Sequence, residues 1–350
     1  MKTESKVKKN LQIKAKLNIP TMQFLTYKKY ILSISYERNT VDFYDIKTFK
    51  RKFYLKRKRH EKNFYHEKWK LIQTKAHKVF LLGYKNDPEN ELFYHEVENS
   101  KLDIYLLKIG QRKCIKKASF IYYKFKEDEK EDKLYILTDF TIFQYDFLTG
   151  TSNELCISKH LPFCNNWVKF FIINNYFVIV FLREVSKWIF LEYCEIIDKN
   201  SHSNILLCIS SDYYYDMDNY YESQNSFVQI SDKFFSIYSE ETSQMTNIVF
   251  AEFEINEKIF QQKNYLPLSN KKEIKIKETG KMDIYPINKK NCGISFNYSN
   301  YYIFKLPDME IIIKIDIVFK DKLFLLKFID DGNDKYRLYL SDQNNLLYIA

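Results

Sequence analysis

The chain has 350 residues, 45% hydrophobic and 17% aromatic, apolar area enough for a core and enough to exclude wholesale disorder. Only 6 Gly and 6 Pro stand against 29 Tyr and 29 Phe, which favours strands over helices and leaves the turns to Asn, Asp, Ser and Lys. The net charge of +10 is unevenly placed: residues 1–62 hold 18 Lys/Arg and 5 Asp/Glu, a balance of +13, so the remainder carries −3.

Residues 1–10, "MKTESKVKKN", read as a flexible basic tail with no secretory apolar segment behind it. "LQIKAKLNI" (11–19) then alternates as an edge strand should, and the runs "YILSISY" and "TVDFYDIKT" (40–48) follow. Residues 50–55 are expected as an outer strand and 56–67 as a loop. Next come "VFLLGY" with "ELFYHEVEN" (91–99), the mixed-charge "KFKEDEKEDK" (124–133), read as a solvent loop, and "LYILT" with "TIFQYDFLT" (141–149). The longest apolar stretch, "WVKFFIINNYFVIVFLR", is broken by Lys169 and by Asn174-Asn175. It reads as a hairpin with the Asn pair at its turn rather than as a membrane span. "LEYCEIIDK" (191–199), a long loop over 210–225, "FFSIY" with "VFAEFEINE" (249–257), and "CGISF" with "YYIFKLPDM" (301–309) continue the series. "KLFLLKF", "YRLYL" and "NLLYI" form a last, shorter unit.

These segments repeat. Their apolar ends are Ile46, Val97, Phe147, Ile196, Ile255 and Leu306, spaced by 51, 50, 49, 59 and 51 residues. Asp45, Glu96, Asp146, Glu195 and Glu254 precede the first five, and Lys305 precedes the sixth. Units of three to four short strands cannot bury their faces alone and must stack. The expected fold is therefore all-β: a single β-propeller of seven blades over residues 11–350, closed by pairing 11–19 with 345–349. A tandem of β-sandwiches is the alternative. "YDIKT" and "YDFLTG" resemble the close of a WD repeat, with Tyr44-Asp45 and Tyr145-Asp146 where Trp-Asp would stand; neither Trp-Asp nor Gly-His occurs. That resemblance to a divergent WD-repeat-like propeller implies a scaffold that binds other macromolecules on its faces and rim.

The most conspicuous local feature is "KRKFYLKRKRHEK" (50–62), where Lys50, Arg51, Lys52, Lys56, Arg57, Lys58 and Arg59 surround Phe53, Tyr54 and Leu55. Clustered cations beside aromatics such as Tyr54 contact phosphates and stack on unpaired bases, which points to RNA or a ribonucleoprotein. An acidic protein partner, the nuclear-import machinery, and a charged edge that blocks aggregation are the other readings. Cys156, His160 and Cys164 have zinc-ligand chemistry, but Pro162 separates the last two and no fourth ligand is near, so loop residues and buried thiols are expected instead. Asp216-Met217-Asp218 begins like a calcium loop but lacks the glycine and terminal glutamate. There is no phosphate-cradling glycine loop, no HExxH and no GxSxG, and the histidines (60, 66, 77, 95, 160, 202) are scattered. The six cysteines form no CxxC pair, which suits free thiols in a reducing compartment, cytoplasm or nucleus. The expectation is a non-catalytic scaffold mediating protein–protein interaction as a subunit of a larger intracellular assembly, with RNA binding through 50–59 as the alternative. No cofactor, metal, membrane contact or small-molecule substrate is expected.

Overall fold

In the computed structural model the chain is all-β. The structure describes residues 8–10, 15–17, 24–27, 30–35, 40–56, 68–73, 79–86, 90–98, 108–117, 123–128, 133–138, 140–160, 168–186, 189–209, 215–216, 226–230, 233–241, 246–262, 264–278, 282–286, 291–296, 300–306, 308, 310–316, 324–332, 335–341 and 347–349. Two short strands come first, β1 (Lys8–Asn10) and β2 (Ala15–Leu17). The first sheet holds β3 (Phe24–Tyr27), β4 (Tyr30–Ser35), β5 (Thr40–Asp45) and β6 (Arg51–Lys56). The second holds β7 (Lys68–Gln73), β8 (Val79–Asn86), β9 (Asn90–Glu98) and β10 (Lys108–Lys117). The third holds β11 (Tyr123–Asp128), β12 (Lys133–Thr138), β13 (Thr141–Asp146) and β14 (Ser152–Ile157). The fourth holds β15 (Lys169–Ile173), β16 (Tyr176–Ser186), β17 (Ile189–Asp198) and β18 (Asn204–Cys208), with β19 (Tyr215–Asp216) also on β17. The fifth holds β20 (Ser226–Ile230), β21 (Lys233–Glu241), β22 (Thr246–Phe253) and β23 (Leu268–Ile276). The sixth holds β24 (Met282–Pro286), β25 (Asn291–Phe296), β26 (Asn300–Lys305) and β27 (Glu310–Asp316), extended by β1. The seventh runs β2, β30 (Leu347–Ile349), β29 (Lys335–Ser341), β28 (Phe324–Gly332).

Among the described residues the sheets thus carry four or five strands rather than three to four, because β1 and β19 add to existing sheets. Lys8–Asn10, expected within a flexible tail, runs parallel to β27 with Lys8 opposite Lys314; "KKN" carries no period-two signal, so only backbone pairing reveals it. The expected solvent loop 124–133 is also corrected. Its first half is β11, paired antiparallel to β12 with Glu127 opposite Leu134, since a charged strand at a sheet edge keeps its ladder while its side chains discourage further pairing. The Asn174-Asn175 hairpin is present: β15 and β16 meet at Ile173 opposite Tyr176, and Asn174 takes the left-handed conformation at φ 51 that a tight hairpin turn requires.

The chain divides into two compact units, one of Ala15–Cys156 with Ser341–Tyr348, the other of Met1–Lys14, Ile157–Leu340 and Ile349–Ala350. In the first, Ile31 and Leu32 are adjacent yet both buried, as are Val41, Asp42, Phe43 and Tyr44 along β5. Unbroken burial along a strand means that both of its faces are covered, where a one-sided sheet would alternate. The outer strand differs: Ser152, Asn153 and Glu154 of β14 are exposed. In the second unit, β21 shows how the coverage arises. Phe234 joins a cluster with Val178, Ile196 and Leu207 of the fourth sheet, while Phe235 and Ile237 join Ile294, Tyr302 and Phe304 of the sixth. The fifth sheet is therefore sandwiched between its two neighbours in the chain.

Three of the turns before a fourth strand share one construction. Asp45 Oδ1 accepts from the backbone N–H of Lys47 (2.9 Å) and Thr48 (2.8 Å), and the Phe49 N–H donates to the Asp45 carbonyl (2.8 Å). Asp146 does the same with Leu148, Thr149 and Gly150, and Asp198 with Asn200, Ser201 and His202. The fifth residue of each turn has positive φ: Phe49 (56°), Gly150 (72°) and His202 (59°). Such side-chain acceptors fix a turn that the backbone alone would leave loose. In the fourth sheet the turn acid is thus Asp198, not the Glu195 that the repeat alignment pairs with Asp45.

The Ser201 and Asn200 N–H groups hold the Asp198 carboxyl below the ordinary aspartate range, Ser201 foremost, against a smaller opposing effect of burial. A lowered folded-state pKa stabilises the fold above the unfolded value and is lost as pH falls through the folded one. Asp198→Ala is therefore expected to lower the thermal midpoint at pH 7, with the gap from wild type closing as pH falls through the lowered carboxyl pKa, below the ordinary aspartate range. Asp198→Asn, which keeps an acceptor oxygen, should fall between them; equal midpoints for all three at pH 7 would refute the turn's role.

Candidate functional site

β6 is an end strand of the first sheet. It pairs with β5 by Thr40 opposite Lys56, Asp42 opposite Tyr54 and Phe43 opposite Phe53, then slips so that Tyr44 faces Arg51. The slip leaves Lys52 as one extra residue, a bulge that locally breaks the ladder and re-aims side chains. Lys50, Arg51, Lys52 and Tyr54 are all exposed, Tyr54 at 53%. The Arg51 guanidinium lies 5.4 Å from the Tyr54 ring centroid and 3.8 Å from Asp42 Oδ1. Asp42 is buried and also accepts from Thr40 Oγ1 at 3.0 Å. A buried acid and an exposed ring thus fix Arg51 on the strand surface, and the cation–π geometry orients the pair. Asp45 is held below the usual carboxylate range, chiefly by the Thr48 N–H, with a lesser contribution from Lys52.

Of the sequence candidates, Lys50, Arg51, Lys52 and Tyr54 come together on this edge, and Lys56 is the last residue of β6. Arg57, Lys58 and Arg59 lie outside the described residues. Sequence reading passed over β10, "KIGQRKCIKK", which carries Lys108, Arg112, Lys113, Lys116 and Lys117 without an acid. A signal was available, since β10 has five cations in ten residues against seven in ten for 50–59, but interleaved Ile, Gly, Gln and Cys dilute its appearance.

Lys314 Nζ pairs with Glu278 Oε1 at 2.5 Å and lies 5.2 Å from the Tyr302 ring centroid. Desolvation alone would lower the Lys314 ammonium, yet Glu278 and Tyr302 keep it well above its ordinary value. Burial, reinforced by the bond to Glu278, pushes the Tyr302 hydroxyl up. Cys194 is pushed far up by burial and then by Glu195, and Cys292 is pushed up to about 12 by burial. Thiols so protonated are poor nucleophiles and poor metal ligands. Cys156 is buried and His160 partly so; Cys164 lies outside the described residues. Among the described residues, no group of three or more His, Cys, Asp or Glu is placed to hold a metal, and no helix is long and apolar enough to cross a membrane.

No protein-family model matches the chain, and no curated protein does. Solved structures share its fold, two among them as follows. Raptor of Chaetomium thermophilum matches 93% of this chain with a TM-score of 0.54 at 9% identity, and this chain spans only 27% of that one. Hydrazine synthase of Kuenenia stuttgartiensis matches 96% of this chain and 97% of its own, with a TM-score of 0.53 at 10% identity. At such identities the likeness is one of fold alone.

Proposed function

We propose that this chain is a seven-bladed β-propeller, each sheet being one blade, and that it works as a non-catalytic scaffold mediating protein–protein interaction as a subunit of a larger assembly. The observation that carries the reading is the coverage of both faces of the middle strands, as at Phe234 and Phe235. Radial stacking of blades demands that coverage, and a one-sided sheet does not. The first strands of successive sheets also approach one another, β3 with β7, β15 with β20 and β20 with β24, as innermost strands around a channel would. The neighbouring positions of β2 and β30 in the seventh sheet support closure from both chain ends, which removes the exposed edge of an open array. Asp45 and Asp146, capping like turns after Tyr44 and Tyr145, support the WD-repeat-like resemblance.

The mechanism is rigid display. Stacked sheets fix the outer strands and turns, and a few exposed anchors on them supply affinity. The buried thiols of Cys156, Cys194, Cys208 and Cys292, none of them in a disulfide, favour a reducing compartment, cytoplasm or nucleus. Size-exclusion chromatography of a tagged chain from the cells that make it tests the scaffold reading. Elution well above the size of one 350-residue chain, with co-eluting proteins in fixed ratio, is expected. Elution as a lone chain at native expression overturns it.

A further inference from the structure

We infer that β6 and β10 together form one surface that binds single-stranded nucleic acid, a role independent of the scaffold reading. Both strands are outermost in their sheets, and their Cα atoms approach within 8 Å. β6, carrying Arg51, Lys52 and Lys56 and preceded by Lys50, therefore runs close to β10, whose sequence carries five cations. On β10, Lys108 and Lys117 stand opposite Glu98 and Glu91 of β9, whereas Arg112, Lys113 and Lys116 stand opposite His95, Tyr94 and Leu92. The central three cations thus stand at register positions with no acid opposite, and the two neighbouring strands concentrate positive charge of the kind a polyphosphate binds.

Two further observations favour a nucleic acid over an acidic protein strand added to the edge. The ladder slips beside Lys52 in β6, and twice in β10, between Ile109 and Arg112 and between Cys114 and Lys116. Such irregular edges are poor templates for an incoming strand, which needs regularly spaced backbone groups, but a flexible polyanion needs none. Aromatic residues also flank the cations. Tyr54 is largely exposed beside Arg51, offering a face on which a base can stack. Phe49, directly before Lys50, occupies the positive-φ position that Gly150 fills in the matching turn. A bulky residue held in that conformation is strained, and such strain gathers at functional positions.

Fluorescence anisotropy of a labelled 20-nucleotide single-stranded RNA of mixed sequence, with the full chain, tests the inference. If about five phosphates are neutralised, affinity should fall roughly 100-fold between 50 and 200 mM salt. The doubly substituted Arg51→Gln/Lys52→Gln and Lys113→Gln/Lys116→Gln chains should each bind at least about tenfold more weakly with a shallower salt slope. Tyr54→Ala should weaken binding by roughly tenfold while leaving the slope unchanged, the mark of stacking. Circular dichroism confirms that each variant is folded, and Lys52→Gln alone serves if a double variant is not. Absence of binding at 50 mM salt overturns the inference, as does loss from the β6 substitutions but not the β10 ones. So does equal binding of polyglutamate with no effect of Tyr54→Ala, which would mark the surface as one for acidic proteins.

Discussion

Replacing Phe234 by alanine is expected to cost about 3–5 kcal/mol of stability, as deletion of a fully buried aromatic does when the cavity cannot collapse. Phe234 is completely buried. Its ring meets Phe171 edge-on at 5.3 Å, stacks on Phe227 at 5.5 Å and touches Phe253 at 6.0 Å. Phe171 belongs to the fourth sheet and the other two to the fifth, so the cavity would open between sheets where neither can close it alone. The discriminating variant is the next residue. Phe235 points to the opposite face, into the cluster that contains Phe250 and Phe304, whose own rings lie 5.2 Å apart. Phe235→Ala should therefore cost about as much, roughly 3–5 kcal/mol. In a sheet with one solvated face, one of the pair would be exposed and its substitution nearly silent, within about 0.5 kcal/mol. Urea unfolding of the two single variants decides it, and a near-neutral result at either position removes the sandwiched fifth sheet on which the propeller reading stands.

How much of this was legible in the sequence depended on the kind of signal. The middle strands of each sheet are long apolar runs, and they announced themselves; "YFVIVFL" lies wholly within β16 and "FFSIY" within β21. The Asn174-Asn175 turn was legible for the same reason, two polar residues between two apolar runs. Edge strands were not, because charged residues interrupt any apolar alternation in their sequences and only backbone pairing makes them strands: β11 read as a loop and β1 as a tail. The acid–apolar alignment located the repeat but misplaced one of its turns. β17 runs on past Glu195-Ile196 to Asp198, so the acid that caps the turn stands three residues beyond the one that fits the spacing. Of the candidate site, the run at Lys50–Lys52 was legible from charge density alone. The partnership of β6 with β10 was not, since two edges separated by some fifty residues in sequence become neighbours only through the order of the sheets. Phe49 was invisible as well, for positive φ at a phenylalanine has no sequence signature.

Glu195 has a different role from the turn acids, and its removal should be nearly as damaging as that of Phe234. It is completely buried on β17, between Ile179 of β16 and Leu206 of β18. Its carboxylate accepts from Ser158 Oγ, from the Lys159 N–H at 2.9 Å and from Asn204 Nδ2 at 3.3 Å. Ser158 and Lys159 belong to the same compact unit as the fourth sheet, so the carboxylate clasps this early stretch of that unit onto the middle of β17. Glu195→Ala would strand the buried Ser158 hydroxyl and the Lys159 N–H without their acceptor while opening a void. Each bond to a charged acceptor contributes about 1.5–3 kcal/mol, and the expected loss is about 3–5 kcal/mol in urea unfolding. Glu195→Gln preserves the volume and one carbonyl acceptor, so it should cost less than half as much. A double-mutant cycle separates the clasp from simple packing. If Glu195 acts through Ser158, the Glu195→Ala and Ser158→Ala losses should overlap by more than about 0.5 kcal/mol rather than add. Strict additivity would reduce Glu195 to a space-filling residue.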